Sequence, residues 1–355
     1  MSDVYITDYS LQSCLGKNIS EAVETLRLGA VEPATLLLPN DAQRPFHRMP
    51  FQPLLQDAWH DVRSATLYLA SSSYDMYEIK TPDQLGSPLY AFGNALTGSS
   101  PTINKPFAIN TACTSSFSAI SMAMHRLGTQ QSHHAIVLGV DLYNDYTFYG
   151  FEALQLLAPN QAEPLGQHRQ GLVLGEAIAS LHLSKSSHAV AGGKQKHVWR
   201  VLSCTHIVDG QNPTGATTSA LVLACQQALQ LAKLQTIDID LIKLQAAGSP
   251  TNDELEVQAL KQVFENLPPC VSLKMALGHT LGASGAAETA LLLACIEQHV
   301  WPVVDYALDA SLGVQLVSQA HPLPFENINT VLLVTLGFGG GHSVLILQKH
   351  REAAS

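Results

Sequence analysis

FAINTACTSSFSAISMAMHRLG (107–128), followed shortly by AIVLGV (135–140), reads as a strand, a turn of small residues, a helix and a second strand. The apolar run FAIN stops where the small residues begin, and SSFSAISMAMHRLG (115–128) then repeats its apolar positions at helical spacing. The same alternation continues outward. LIKLQA (241–246) and TVLLVTL (330–336) are further β-rich runs, and helical spacing marks SEAVETLRLG (20–29), TTSALVLACQQALQLAKL (217–234), NDELEVQALKQVF (252–264) and SGAAETALLLACIEQ (284–298). Strands alternating with helices predict an α/β architecture, a largely parallel sheet covered by helices. Residues 31–100, rich in Pro, His and Ser, carry no motif that assigns them elements.

Bulk composition fits this reading and excludes several function classes. Apolar residues make up 46% and charged residues 14% of the 355, so a large core is expected and disorder is not. A net charge of −10 leaves no basic stripe for a nucleic-acid backbone, so no nucleic-acid partner is expected. The start MSDVYITDYSLQSCLG lacks a basic segment followed by an apolar run, and nowhere does an apolar stretch reach the roughly 18 residues of a membrane span. A cytoplasmic protein is expected. The six cysteines (14, 113, 204, 225, 270 and 295) are scattered without a CxxC pair, which argues against a zinc site and a disulfide framework alike. SKSSHAVAGGKQKH (184–197), polar and Gly-containing, is either a linker between two roughly equal halves or a surface loop.

Cys113 carries the strongest chemical signal. It stands among small residues where a strand meets a helix N-terminus, a place that favours thiolate over thiol and leaves room for an incoming thioester. A small buried hydrophobe opening a core helix explains the same residue. LKMALGHTLGASGAAETALLL (273–293) sets Lys274 and His279 five apart before a Gly- and Ala-rich helix. VTLGFGGGHSVLIL (334–347) reads as strand, glycine turn and strand, and such a turn either offers unobstructed N–H groups to an oxyanion or simply closes a tight hairpin.

In order along the chain, TACTSS, PLGQHRQGLVLGEA (164–177), NDELE (252–256), KMALGHTLGASGAAE and GFGGG resemble the elongating β-ketoacyl synthases of fatty-acid and polyketide synthesis. The resemblance spans nearly the whole chain. It implies a thiolase-like fold, layered α-β-α-β-α with two mixed sheets and covering helices, forming one unit over 1–355. That unit would consist of two pseudo-repeated halves, about 1–185 and 198–350. It further implies that Cys113 takes an acyl chain from the phosphopantetheine arm of an acyl carrier protein, with no bound cofactor and no metal. His279 would donate a hydrogen bond to a malonyl thioester, and Lys274 would position it. The backbone N–H groups of Cys113 and Phe338 would form an oxyanion hole, with Gly337, Gly339 and Gly340 letting the turn come close and Phe338 acting as a gate. Glu288 matches a glutamate common in the family, and an exposed helical carboxylate explains it as well.

The pattern breaks at LQAAGSPTND (244–253), where the family carries a second catalytic histidine: Ala247 occupies its position, with two residues missing before Pro250. A methyl group neither donates nor accepts a proton, so the expected loss is about two to four orders of magnitude in condensation rate. His342 and His206 are the nearest histidines by motif, as replacements or as unrelated loop residues. A degraded catalytic set on this scaffold resembles the chain-length factor, the partner of a complete ketosynthase in type II polyketide systems, including those of the aryl polyene kind. A heterodimer with such a ketosynthase, or a homodimer, is implied. The aromatic run Tyr143, Tyr146, Phe148, Tyr149 and Phe151 either caps an acyl tunnel or packs as ordinary core. Three functions remain open on the sequence: chain-length partner, self-sufficient condensing enzyme, and acyl transferase using Cys113 alone. A thiolase proper is disfavoured, since Cys270 lies outside the glycine turn.

Overall fold

The computed structural model describes residues 3–29, 31–38, 42–52, 65–73, 93–94, 103–129, 132–187, 197–212 and 215–350. Most of 53–100, and positions 188–196 of the expected linker, lie outside the described residues.

Ten strands form one sheet: β1 (Tyr5–Ser13), β4 (Ala65–Ala70), β5 (Ile103–Ile109), β6 (His134–Asp141), β8 (Ala177–Ser184), β9 (Trp199–Val208), β10 (Leu241–Lys243), β11 (Cys270–Val271), β12 (Thr330–Gly337) and β13 (Gly341–Lys349). The spatial order is β11-β10-β12-β13-β9-β1-β8-β6-β4-β5. Counted from β1 outward, the first five strands lie in the order first, fifth, fourth, second, third, and the last five repeat that order from β9. Two mixed five-stranded sheets therefore meet edge to edge, joined by the pairs Tyr5–Arg200 and Ile6–Trp199. A small sheet of β2 (Ala34–Leu37), β3 (Gln43–His47) and β7 (Leu174–Gly175) stands beside them.

Helices α1 (Ile19–Leu28), α2 (Ser115–Gly128), α3 (Asp145–Ala153), α4 (Thr218–Ala232), α5 (Pro250–Val263), α6 (Lys274–Leu277) and α7 (Ser284–Gln298) complete the layers. Two of them touch strands of both halves: α2 packs on β4, β6 and β9, and α7 on β1, β8 and β12. Their composition permits this. Every residue of α7 from Ser284 to Ile296 is buried, and a Cβ on Gly285 would lie 2.7 Å from the Phe117 ring of α2. On the outside of the second half, α4 packs on β9, β13 and α5.

One expected strand is shorter than its sequence. LIKLQA leaves the sheet after Lys243, with a last bond from Leu244 N–H to Val271 O (2.9 Å), and the carboxylate of Glu256 takes the N–H groups of Gln245 (2.7 Å) and Ala246 (2.8 Å). Asp253 continues this substitution by accepting from Ala247 (3.1 Å), Gly248 (3.0 Å) and Ser249 (3.2 Å). Buried N–H groups need partners, and two carboxylates of α5 supply them where no strand does. Ser249 then caps α5 with Pro250 in its first turn, so the shortened loop runs straight into the helix.

Candidate active site

Cys113 sits in the turn between β5 and α2. Ala112 before it is held at φ 51°, a left-handed conformation that a residue with a Cβ rarely adopts. Hydrogen bonds brace the turn: Thr114 N–H to Thr111 O (3.2 Å), Ser115 N–H to Ala112 O (3.1 Å) and Thr111 N–H to Ser115 Oγ (2.9 Å). Against Cys113 lies the glycine turn between β12 and β13. A Cβ on Gly337 would meet the Cys113 nitrogen at 3.2 Å, and one on Gly340, at φ 73°, would collide with Asp209 O at 1.7 Å. Gly339 also takes a positive φ of 81°. Gly337 thus lets the turn come close to the cysteine, while Gly340 makes room for Asp209 and, with Gly339, takes the left-handed backbone of the turn.

His279 follows α6, its N–H donating to Val173 O at 2.7 Å, and its Nε2 lies 3.0 Å from Cys113 Sγ. Lys274 Nζ lies 3.1 Å from His279 Nδ1 and 3.1 Å from Ser284 Oγ, and it pairs with Glu288 Oε1. An ammonium can only donate, so Nδ1 accepts and Nε2 carries the ring proton, aimed at the sulfur. Glu288 is fully buried rather than exposed. Its second oxygen takes a 2.8 Å bond from Lys243, a residue not singled out in the sequence, which also donates to Val334 O at 2.8 Å.

Burial and the Lys274 and Lys243 charges hold His279 well below the usual imidazole range, so it is neutral. Burial alone would raise Glu288, but the two lysines keep its carboxyl below the ordinary value. The thiolate expected from the helix N-terminus is corrected by the site's dryness: burial pushes the Cys113 thiol up to about 11. Lys274 and the backbone N–H groups of Phe338 and Cys113 itself pull in the opposite direction. Both N–H groups are within reach of the sulfur and favour its anion.

A cleft opens on this pair, lined by Cys113, His279, Ala247, Gln245, Phe151 and Phe338 among others. Ala247 thus faces the same space as Cys113 and His279, and it brings no polar group to it. Neither His342 nor His206 lines this cleft. His342 bonds Gly340 O (2.9 Å) and the Thr217 N–H (2.9 Å), and His206 bonds Ser343 Oγ (2.6 Å). From the aromatic run, Phe151 alone reaches the cleft, stacking on Phe338 at 5.2 Å and 14°. Phe148 is buried beneath it, Tyr143 packs edge-on against Phe46, and Tyr146 and Tyr149 are exposed.

Two family models match the chain, the beta-ketoacyl synthase N-terminal domain over 105–189 and its C-terminal domain over 201–304, together just over half its length. The "Putative polyketide beta-ketoacyl synthase 1" of Streptomyces cyaneus is 31% identical over 255 residues, covering 67% of this chain and 59% of that protein. The 3-oxoacyl-[acyl-carrier-protein] synthase 2 of Mycobacterium bovis is 30% identical over 251 residues, 66% of this chain and 58% of that one. The chain thus spans about three fifths of these relatives. Among solved structures, the ketosynthase ApeO in complex with its chain length factor ApeC from Xenorhabdus doucetiae matches with a TM-score of 0.81. It covers 98% of each chain at 23% identity, a likeness of fold. Among the described residues no helix is long and apolar enough to cross a membrane.

Proposed function

We propose, from the premise that this chain belongs to the β-ketoacyl synthase family, that it is the chain-length-factor-like partner of a complete ketosynthase in a type II polyketide or fatty-acid system. In this reading it shapes the acyl cavity while chains grow on the phosphopantetheine arm of an acyl carrier protein. The observation that carries the reading is Ala247, which lines the Cys113 cleft at the place of the second imidazole and brings no proton donor or acceptor there. Decarboxylative condensation needs charge stabilised at two thioester carbonyls. Here one set of donors, the N–H groups of Cys113 and Phe338, serves one carbonyl, and His279 alone serves the other.

A second reading is favoured by a different observation. The 3.0 Å contact between His279 Nε2 and Cys113 Sγ keeps a complete acyl-accepting pair, so Cys113 would form a thioester and the chain would transfer acyl groups with little or no condensation of its own.

The test is reconstitution. The chain is mixed with acyl- and malonyl-carrier protein, with and without the complete ketosynthase of its system, and products are followed by intact-protein mass spectrometry. The partner reading expects extension only in the mixture with the ketosynthase, and extension that survives Cys113→Ala in this chain. Loss of extension in that variant would favour the acyl-transfer reading instead.

A further inference from the structure

Lys243 is the last residue of the apolar strand β10, fully buried at a cost in desolvation that only well-placed partners offset. Its partners lead to the active site without a break. Lys243 Nζ meets Glu288 Oε2 at 2.8 Å, Glu288 Oε1 meets Lys274, Lys274 Nζ meets His279 Nδ1 at 3.1 Å, and His279 Nε2 meets Cys113 Sγ at 3.0 Å. We infer that Lys243 is a positioning residue for Cys113: it occupies one oxygen of Glu288 and so keeps Lys274 on His279. The inference rests on the reading of Cys113 as the reactive thiol.

The groups that face Lys243 are Glu288 of α7, Lys274 of α6 and Glu256 of α5. Burial raises Glu256, while the N–H groups of Gln245 and Ala246 and the Lys243 charge pull it down. Burial lowers Lys274 and its contact with Glu288 holds it up, and His279 beside it is neutral. Facing Cys113 are Lys274, His279 and, from the end of β6, Asp141, whose carboxylate accepts from Ser71, Ser72, Ser73 and Ala283. Without Lys243, both oxygens of Glu288 would be free to close on Lys274 and draw it from Nδ1, releasing the tautomer that points a proton at the sulfur.

Alkylation of Cys113 by iodoacetamide, quantified by peptide mass spectrometry across neutral to alkaline pH, tests this with no carrier protein present. A failure here is thus distinct from a failure of the acyl-chain reading. Loss of the partner that holds Glu288 Oε2 frees Glu288 to draw Lys274 from His279, so Lys243→Met should alkylate roughly tenfold more slowly at each pH below the midpoint, the size of a shift of about one pH unit in the thiol. The double variant Lys243→Met/Glu288→Gln removes the carboxylate that would draw Lys274 away and should return to within about threefold of wild type. A folded Lys243→Met with the wild-type rate, or a double variant about tenfold slower than wild type, would overturn the inference. If Lys243→Met does not fold, the double variant decides alone.

Discussion

The Nε2 proton of His279 points at Cys113 Sγ across 3.0 Å, with Lys274 fixing the ring from behind. In this arrangement the histidine is a donor to the sulfur and to any carbonyl placed there, and it is not the base that ionises the thiol. The thiolate depends instead on backbone N–H groups and Lys274, working against a dry surrounding.

Cys113 alkylation should therefore keep rising with pH. The thiol stands at about 11, so the reactive anion grows about tenfold per unit from neutral pH towards that value. His279, neutral throughout, adds no break near its ordinary range. Rates measured in half-unit steps should show one straight limb; a plateau beginning near pH 8 would mean that burial does not dominate the thiol.

Ala247→His should return an imidazole to the cleft that Cys113 and His279 share. Malonyl-dependent extension by the lone chain is expected to increase, by on the order of tenfold or more, since a positioned donor of this kind is typically worth 10²–10⁴ and the shortened loop will place it imperfectly. Unchanged extension in a folded variant would show that the missing histidine is not what limits the site.

Much of this was legible in the sequence, and for physical reasons. The helix limits at 115–128 and 284–298 coincide with the expected ones, because their apolar spacing reflects faces that are buried. Motif order marked Cys113, Lys274, His279 and Ala247, and folding brings all but Lys274 to one cleft, with Lys274 directly behind His279. What stayed hidden depended on tertiary partners. Glu288 reads as a surface carboxylate until two lysines are seen to enclose it, and only its polarity within the run LIKLQA sets Lys243 apart. The short β10 was equally invisible, since the competing acceptors Asp253 and Glu256 lie on the next helix.

Phe151→Ala should widen the cleft at its aromatic end. Phe151 stacks on Phe338 at 5.2 Å, and removing one ring leaves space for additional acyl carbons. In competition between short and long acyl-carrier proteins, the variant should shift Cys113 loading, or the product length made with the ketosynthase, towards longer chains. The same chain-length profile as wild type would place the length limit elsewhere.

His47 should make the fold sensitive to acid. Burial lowers its pKa from 6.5 to about 4, so the unfolded chain binds the extra proton first. Its contribution is intact above pH 6.5, falls as pH drops towards 4, and amounts to about 3 kcal/mol over that window. Urea unfolding of His47→Gln should show a shallower loss of stability between these pH values, and an identical slope would contradict the buried neutral imidazole.

The most direct measurement is made on the purified chain alone, given acyl- and malonyl-carrier protein and followed by intact mass. The account expects an acyl adduct on Cys113, absent in Cys113→Ala, and no two-carbon extension at a rate approaching that of a complete ketosynthase. Efficient extension by the lone chain would contradict it, because Ala247 would then leave a site that condenses without its second histidine.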